Sequence, residues 1–488
     1  MLKSSYEIGL TRIIPSTYRK PMDEILDDLE NAQEQPKKMD FIKVDDFDDR
    51  NDVAVDVVGY SDKEHYAEET KLIEDPEKER QLKKERENNM SEIQVYKPEP
   101  IVYDDILECL FCGSAKSFSG YSKMNRNFIF GLSNRNVKVK VEDNSDASDS
   151  IDVNKETRKQ IEFLEDLDIS PKAPKIYSMT VPSSVSHGGK KIAYTMIESS
   201  SLHKDYCEKL NMMDEIWVPA HSVKTLMQKS NIYPPIYVMP LGVDVGRYKP
   251  NCGIMNFGTS MRTFKFLCLS KYSYRKGFDI LLKAYMEEFN GNEDVSLLLV
   301  TNPLNTMAGT SGSQMIVDDF NDIKNSVKKS EEELPHIALY TKPTDEKDMP
   351  KIYNSCNAFC LISRGEGFSL TVLEAASCGL PVIASNVTAH TDFLKKDNSY
   401  LIEPDGLIQS KCGGNMSRMA KLCHFYEGQL FPDFSNTGVS QTREKMREVF
   451  ENYQEAQVKA EKLRNHVLSN YTWDMAVDKA YHRLKEIS

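Results

Sequence analysis

Two glutamates stand eight residues apart in this 488-residue chain, in the run Arg364-Gly-Glu-Gly-Phe-Ser-Leu-Thr-Val-Leu-Glu374. Glu366 lies between two glycines, in a loop. Glu374 falls one turn into the Ala/Leu-rich helical stretch that follows. The start of that helix, from Ser369 to Thr371, offers free backbone N–H groups and a positive dipole end, where an anion can sit. Cations for the same anion come from the basic turn Lys271-Tyr-Ser-Tyr-Arg-Lys-Gly277, with Lys271 and Lys276 as the candidates. Carboxylates beside an anion site accept hydrogen bonds from vicinal hydroxyls, Glu374 from a ribose and Glu366 from a sugar ring. The ligand that fits is phosphate-bearing, with hydroxylated rings on either side of a diphosphate.

Such groups need strand–loop–helix units to hold them. The buried-strand run Asn357–Ile362 delivers Glu366, and Pro381–Ser385 follows the helix. Upstream, strands at Phe264–Ser270, Val295–Thr301 and His336–Tyr340 alternate with a helix ending at Phe289 and another at Val317–Lys328. Asn302–Gln314 reads as a loop. Downstream come the strand Tyr400–Ile402 and helices at Lys411–Phe425, Gln441–Val467 and Trp473–Ile487. An earlier alternation opens with the strand Ile106–Cys112, the helix Lys123–Ser133 and the strand Val137–Val141. It continues through Lys155–Leu167 (helix), Lys175–Met179 and Lys191–Met196 (strands), Leu202–Asn211 (helix), Asp214–Pro219 (strand), Val223–Gln228 (helix) and Ile236–Asp244 (strand). Repeated βα alternation predicts two doubly wound α/β domains in tandem, residues 102–250 and 251–472, facing a cleft. The linker between them is Tyr248–Arg262, and the final helix, 473–488, is free to pack back on the first domain.

The first domain contributes fewer legible groups. Glu198 falls at the carboxyl end of a strand, where open α/β sheets bind ligands. The small-residue loop Gly113–Ser122 is no G-x-G-x-x-G; its Gly120 either lets the backbone approach a ligand or simply makes the turn.

Composition sets the limits. Residues 1–100 carry 16 Lys+Arg against 26 Asp+Glu, a balance of −10 within a total of −13, so the remainder is nearly neutral. Residues 1–101 form an acidic arm, read as a solvated linker or as a segment for partner docking or self-association, with a short helix at Pro21–Gln33. A duplex-binding protein needs a basic stripe that this chain lacks, so nucleic acid is not expected as a partner. The N-terminus has no secretory pattern, and no run approaches the roughly 18 apolar residues of a membrane span. A soluble cytoplasmic protein is expected. Its ten cysteines lack scaffold spacing, and Cys109-x-x-Cys112 has no second pair at metal-ligand distance; reduced thiols and no metal site follow.

The stretch from Arg364 to Glu374, with Gly379-Leu-Pro-Val-Ile383 after it, resembles the E-x7-E signature of family 4 retaining glycosyltransferases, which have the two-domain GT-B fold. Asp214–Pro219, Pro240-Leu-Gly-Val-Asp244, Ser270–Gly277 and Tyr471-Thr-Trp-Asp474 are similar to the same family, in family order. The resemblance spans about residues 105–488. It implies that Glu366 contacts the donor sugar and Glu374 the nucleotide ribose. It also implies that Gly367, Phe368, Ser369 and Leu370 offer backbone N–H groups and that Lys276 and Lys271 hold the diphosphate. Ser369 stands where the family often has glycine, and Lys271 where it usually has arginine. Family members often carry a first-domain histidine near the reacting carbon, for which His187 is the candidate, with a loop histidine as the alternative. Glu198 and His203 stand where related enzymes approach the acceptor. The implied catalytic set is Glu366, Lys276, His187 and Glu198. The implied reaction moves a hexose from a UDP- or GDP-sugar to a glycan, protein or lipid-linked acceptor with retention, without metal and with no cofactor beyond the sugar nucleotide. The competing expectation is a catalytically idle GT-B scaffold that recruits partners through its acidic arm.

Overall fold

A computed structural model describes residues 106–117, 119–145, 153–178, 188–258, 260–301, 312–342, 344–410 and 428–488, together with the backbone of a two-residue strand, β1 (Val55–Asp56). The rest of the acidic arm, His187 and the expected helix 411–425 lie outside these residues.

The first sheet consists of β2 (Glu108–Cys112), β3 (Lys138–Glu142), β4 (Lys175–Ser178), β5 (Lys191–Tyr194), β6 (Glu215–Val218) and β7 (Ile236–Val238). These pair in parallel in the order β3-β2-β4-β5-β6-β7. Its helices are α1 (Gly120–Ser133), α2 (Lys155–Glu165), α3 (Lys204–Leu210) and α4 (His221–Gln228). Helix α1 begins three residues before the predicted start. Ser119, in extended backbone, accepts a hydrogen bond from the Ser122 N–H at 3.1 Å and so caps the first turn.

The second sheet has the order β1-β10-β9-β8-β11-β12-β13 and is parallel except for the antiparallel edge strand β1. Its members are β8 (Phe264–Leu269), β9 (Val295–Val300), β10 (His336–Tyr340), β11 (Ala358–Leu361), β12 (Val382–Ser385) and β13 (Tyr400–Ile402). The connecting helices are α5 (Phe278–Glu288), α6 (Gly312–Ser326), α7 (Met349–Asn354), α8 (Leu370–Ser377) and α9 (His390–Phe393). Alternation along β8 and β9 divides their side chains between two cores. Leu267 and Leu298 join a core continuous with the first sheet, while Phe266 and Leu297 pack beneath α5.

An antiparallel hairpin, β14 (Gly406–Gln409) and β15 (Leu430–Asp433), comes next, followed by α10 (Gly438–Glu451), α11 (Tyr453–Asn470) and α12 (Trp473–Ile487). The single helix expected over Gln441–Val467 is two, because Asn452 leaves helical dihedrals (φ −116°, ψ 48°). Helix α6 starts inside the expected loop, at Gly312. Helix α12 lies against α1: Trp473 meets Phe128 edge-on at 5.9 Å, and Arg135 donates to Asp478 at 2.6 Å. Arg483 reaches the buried Glu215 of β6 at 2.7 Å. Two motif segments meet where the chain returns. The Val243 N–H donates to the Tyr471 carbonyl at 2.9 Å, and a Cβ added at Gly242 would collide with Thr472 and Trp473. Among the described residues no helix is long and apolar enough to cross a membrane.

Candidate functional site

The second sheet reverses its winding between β8 and β11, and the loops leaving these two strands meet at that point. Open α/β sheets bind ligands in the crevice outside such a switch point. After β8 the chain makes one 3-10 turn, Tyr274–Lys276, and swings into α5 through Gly277. Gly277 has φ 68°, and a Cβ there would strike the Ile362 carbonyl, so the close approach of the two loops depends on glycine. Arg364 clamps them together. Its guanidinium forks onto Asp279 at 2.8 and 2.7 Å, donates to the Tyr274 carbonyl at 2.8 Å and stacks 3.7 Å over the Tyr274 ring.

That clamp brings Lys276 and Arg275 to Glu366. Lys276 Nζ donates to Glu366 Oε1 at 2.7 Å, and Arg275 Nη1 lies 3.4 Å from the same oxygen while donating to the Gly365 carbonyl at 2.6 Å. Arg275 Nη2 is 3.7 Å from Glu198 Oε1 of the first domain. The Glu366 carboxyl is buried, which alone would raise its pKa, yet Lys276, Arg275 and His390 hold it down at about 2. Burial pushes the Lys276 ammonium down, partly offset by Glu366. With two cations within 3.4 Å of one oxygen, ionised Glu366 is the anchor of the cluster.

The glycines flanking Glu366 let the first domain come close to this loop. A Cβ at Gly365 would collide with the Glu198 carbonyl, and one at Gly367 would lie 2.7 Å from Met196 Cβ. The Glu198 backbone and the Met196 side chain of the first domain occupy the space they leave. The hairpin holds that backbone in place: the Ser200 N–H donates to the Leu430 carbonyl at 2.7 Å, and the Leu430 N–H to Ser201 Oγ at 2.8 Å.

The other predicted residues fall as follows. Phe368 is buried against Phe393 and Tyr471, with ring centroids at 5.7 and 5.9 Å. Ser369 caps α8 in the left-handed region, φ 88°, and Leu370 is the first helical residue. Glu374 is buried with both oxygens in use: Oε1 accepts from Lys123 Nζ of α1 at 2.6 Å, and Oε2 from the Tyr353 hydroxyl at 2.7 Å. Lys123 also donates to the Tyr248 hydroxyl at 3.0 Å and lies 3.7 Å from Glu346. Gly120 opens α1 with free space where its Cβ would be. Lys271 is exposed just past β8. His203 is exposed as the N-cap of α3, its Nδ1 accepting from the Asp205 N–H at 3.4 Å.

Sequence reasoning missed Arg275, Lys123 and His390. Arg275 was in view, beside Lys276 in the basic turn. His390 carried no signal; it opens α9, just after a loop that folds back from β12. That loop is stitched to Glu366: the Glu366 N–H donates to Thr388 Oγ1 at 2.8 Å and the Ala389 N–H to the Glu366 carbonyl at 3.3 Å. Around this point Thr301 Oγ1, Ser363 Oγ, Ser369 Oγ and His390 Nε2 are buried without a partner among the described residues. They sit beyond the carboxyl ends of β9, β11 and β12, the edge of the sheet that carries Glu366. Among the described residues no group of three His, Cys, Asp or Glu side chains is arranged to hold a metal ion. Cys109 and Cys112 are free and buried in β2.

Residues 263–410, which span these loops, match the family model of glycosyl transferases group 1. Over these residues the chain is similar to the group 1 glycosyl transferases. A segment of 159 residues is 25% identical to D-inositol 3-phosphate glycosyltransferase of Actinosynnema mirum, covering 31% of this chain and 36% of that protein. A shorter one, 44 residues, is 48% identical to O-antigen chain mannosyltransferase B of Escherichia coli, covering 9% of this chain and 12% of that protein. The chain spans between 12% and 44% of the length of the curated relatives it matches. The solved structure of HepE from Anabaena in complex with UDP and glucose superposes with a TM-score of 0.51 at 12% identity, over 78% of this chain and 100% of that one. The matched stretch lies in the second half of a GT-B architecture, two parallel-sheet Rossmann-like domains.

Proposed function

We propose that this chain is a glycosyltransferase that moves a hexose from a UDP- or GDP-sugar to a glycan, protein or lipid-linked acceptor, with retention of configuration. The observation that carries the reading is Glu366, ionised beside Lys276 and Arg275 at the switch point, on an edge of the sheet where buried polar atoms lack partners among the described residues. Buried donors and acceptors are normally satisfied, so a hydroxyl-rich ligand is what this edge of the sheet fits. Charge develops on a departing nucleoside diphosphate, and Lys276, Arg275 and the α8 N–H groups form a preorganised positive surround for it. That surround supplies the charge a metal would otherwise bring, so the scheme is metal-independent. Glu366 positions the sugar, Glu374 takes the ribose and Glu198 faces the acceptor side. The mannosyltransferase and inositol-phosphate glycosyltransferase relatives, and the UDP and glucose in the HepE complex, support the same substrate class.

One observation favours the idle-scaffold reading: Lys123 and Tyr353 already occupy Glu374. Incubation with UDP-glucose and GDP-mannose separates the two. A transferase releases UDP or GDP, and the anomeric signal of its product matches the donor's. Absence of release, with no thermal shift at millimolar nucleotide sugar, leaves the scaffold.

A further inference from the structure

We propose that His390 reads a hydroxyl of the donated sugar through its Nε2 lone pair. The inference rests on the nucleotide-sugar reading above and adds to it a residue that selects the sugar.

The His390 ring is fully buried, with Nδ1 2.9 Å from the Ser385 carbonyl. A carbonyl only accepts, so Nδ1 carries the hydrogen. Burial disfavours the imidazolium and lowers the ring's pKa; Glu366 and the Ser385 carbonyl oppose that shift, and Lys276 adds to it. In the neutral ring Nε2 is therefore an acceptor, and it has no donor among the described residues. A buried acceptor left in this state marks a place for a missing partner. The charged groups that interact with the ring are Glu366 and Lys276, and Thr388 and Ala389, just before it, are hydrogen-bonded to the Glu366 backbone. Phe393 packs edge-on against the ring at 6.1 Å and offers no hydrogen-bonding group.

A phosphate oxygen would be repelled by the lone pair, whereas an O–H satisfies it. Glu366 is also acceptor-only, so the two side chains together ask for hydroxyl donors, which a hexose supplies. A site built to receive a hydroxyl rejects an analogue that lacks it, because its own polar group is then left unpaired.

His390→Asn is the test, since an asparagine amide can keep the Nδ1-type bond to Ser385 and removes Nε2. Titrations use UDP-glucose, GDP-mannose, UDP and GDP against the full chain. Expected is a loss of about 10-fold or more in affinity for whichever nucleotide sugar the wild type binds, with the free nucleotide unchanged and the melting temperature preserved. His390→Gln, which places an amide near the Nε2 position, should recover part of the loss. Equal weakening of nucleotide and nucleotide sugar, or no weakening of either, overturns the proposal while leaving the nucleotide-sugar reading intact. A wild type that binds none of the four probes overturns that reading and this inference with it.

Discussion

Glu366 gives the residue scale its clearest consequence. Its pKa is depressed from 4.5 to about 2, so its contribution to stability is complete above pH 4.5 and is lost as the pH falls toward 2. The loss amounts to at most about 3 kcal/mol, converting the shift at 1.36 kcal/mol per unit. Urea unfolding at pH 6, 4 and 3 should show this acid limb, and Glu366→Gln should flatten it; identical acid profiles would place the cations on another partner. How far these residues were legible depends on distance along the chain. Glu366 and Lys276 could be found because each stands in a short stretch with its own local logic, a glycine-flanked loop and a basic turn. Lys123 could not, because its partner lies 251 residues away and only the docking of the two sheets joins them. His390 was equally hidden, since a lone histidine at the start of α9 acquires meaning only when the loop before it folds back against Glu366.

At the scale of elements, the start of α8 departs from its expected sequence. Ser369 holds φ 88°, a region that costs a non-glycine residue roughly 1–3 kcal/mol, and its hydroxyl gains no partner among the described residues. Ser369→Gly should therefore raise stability by about 1 kcal/mol, the relief exceeding the added freedom of the unfolded chain, while Ser369→Ala should not. Chemical denaturation of the two variants decides this; equal effects would mean the strain is relieved elsewhere. Arg364 makes a second element-level case. Lysine keeps the charge but loses the fork onto Asp279 and the stacking on Tyr274, so Arg364→Lys should destabilise by about 2 kcal/mol. Because the same clamp places Lys276, nucleotide affinity should fall in parallel, and an unchanged affinity would separate the clamp from the site. Strand and helix alternation was readable here because period-2 and helical patterns are local. The hairpin β14–β15 was not, since its antiparallel pairing and its bonds to Ser200 and Ser201 are long-range.

Among the described residues, ion pairs that include Lys123–Glu374 and Arg275–Glu198 bridge the two sheets' domains, and Lys123–Glu374 is the more buried of these two. The ribose assignment and this pair compete for one carboxylate. Removing either partner strands the other in a low-dielectric setting, and breaking such a pair typically costs 3–5 kcal/mol. Lys123→Met and Glu374→Gln should each destabilise substantially, but the double variant should lose less than the sum, with a coupling of about 1–3 kcal/mol. The decisive step is to repeat the cycle with UDP or GDP at saturation. If the ribose takes Glu374, the ammonium is displaced and the coupling shrinks toward zero, while the donor becomes the link between the two halves. A coupling that persists unchanged in the nucleotide-bound protein would mean that Glu374 serves the domain contact in both states. Ribose recognition would then belong to other groups at the carboxyl edge of the second sheet.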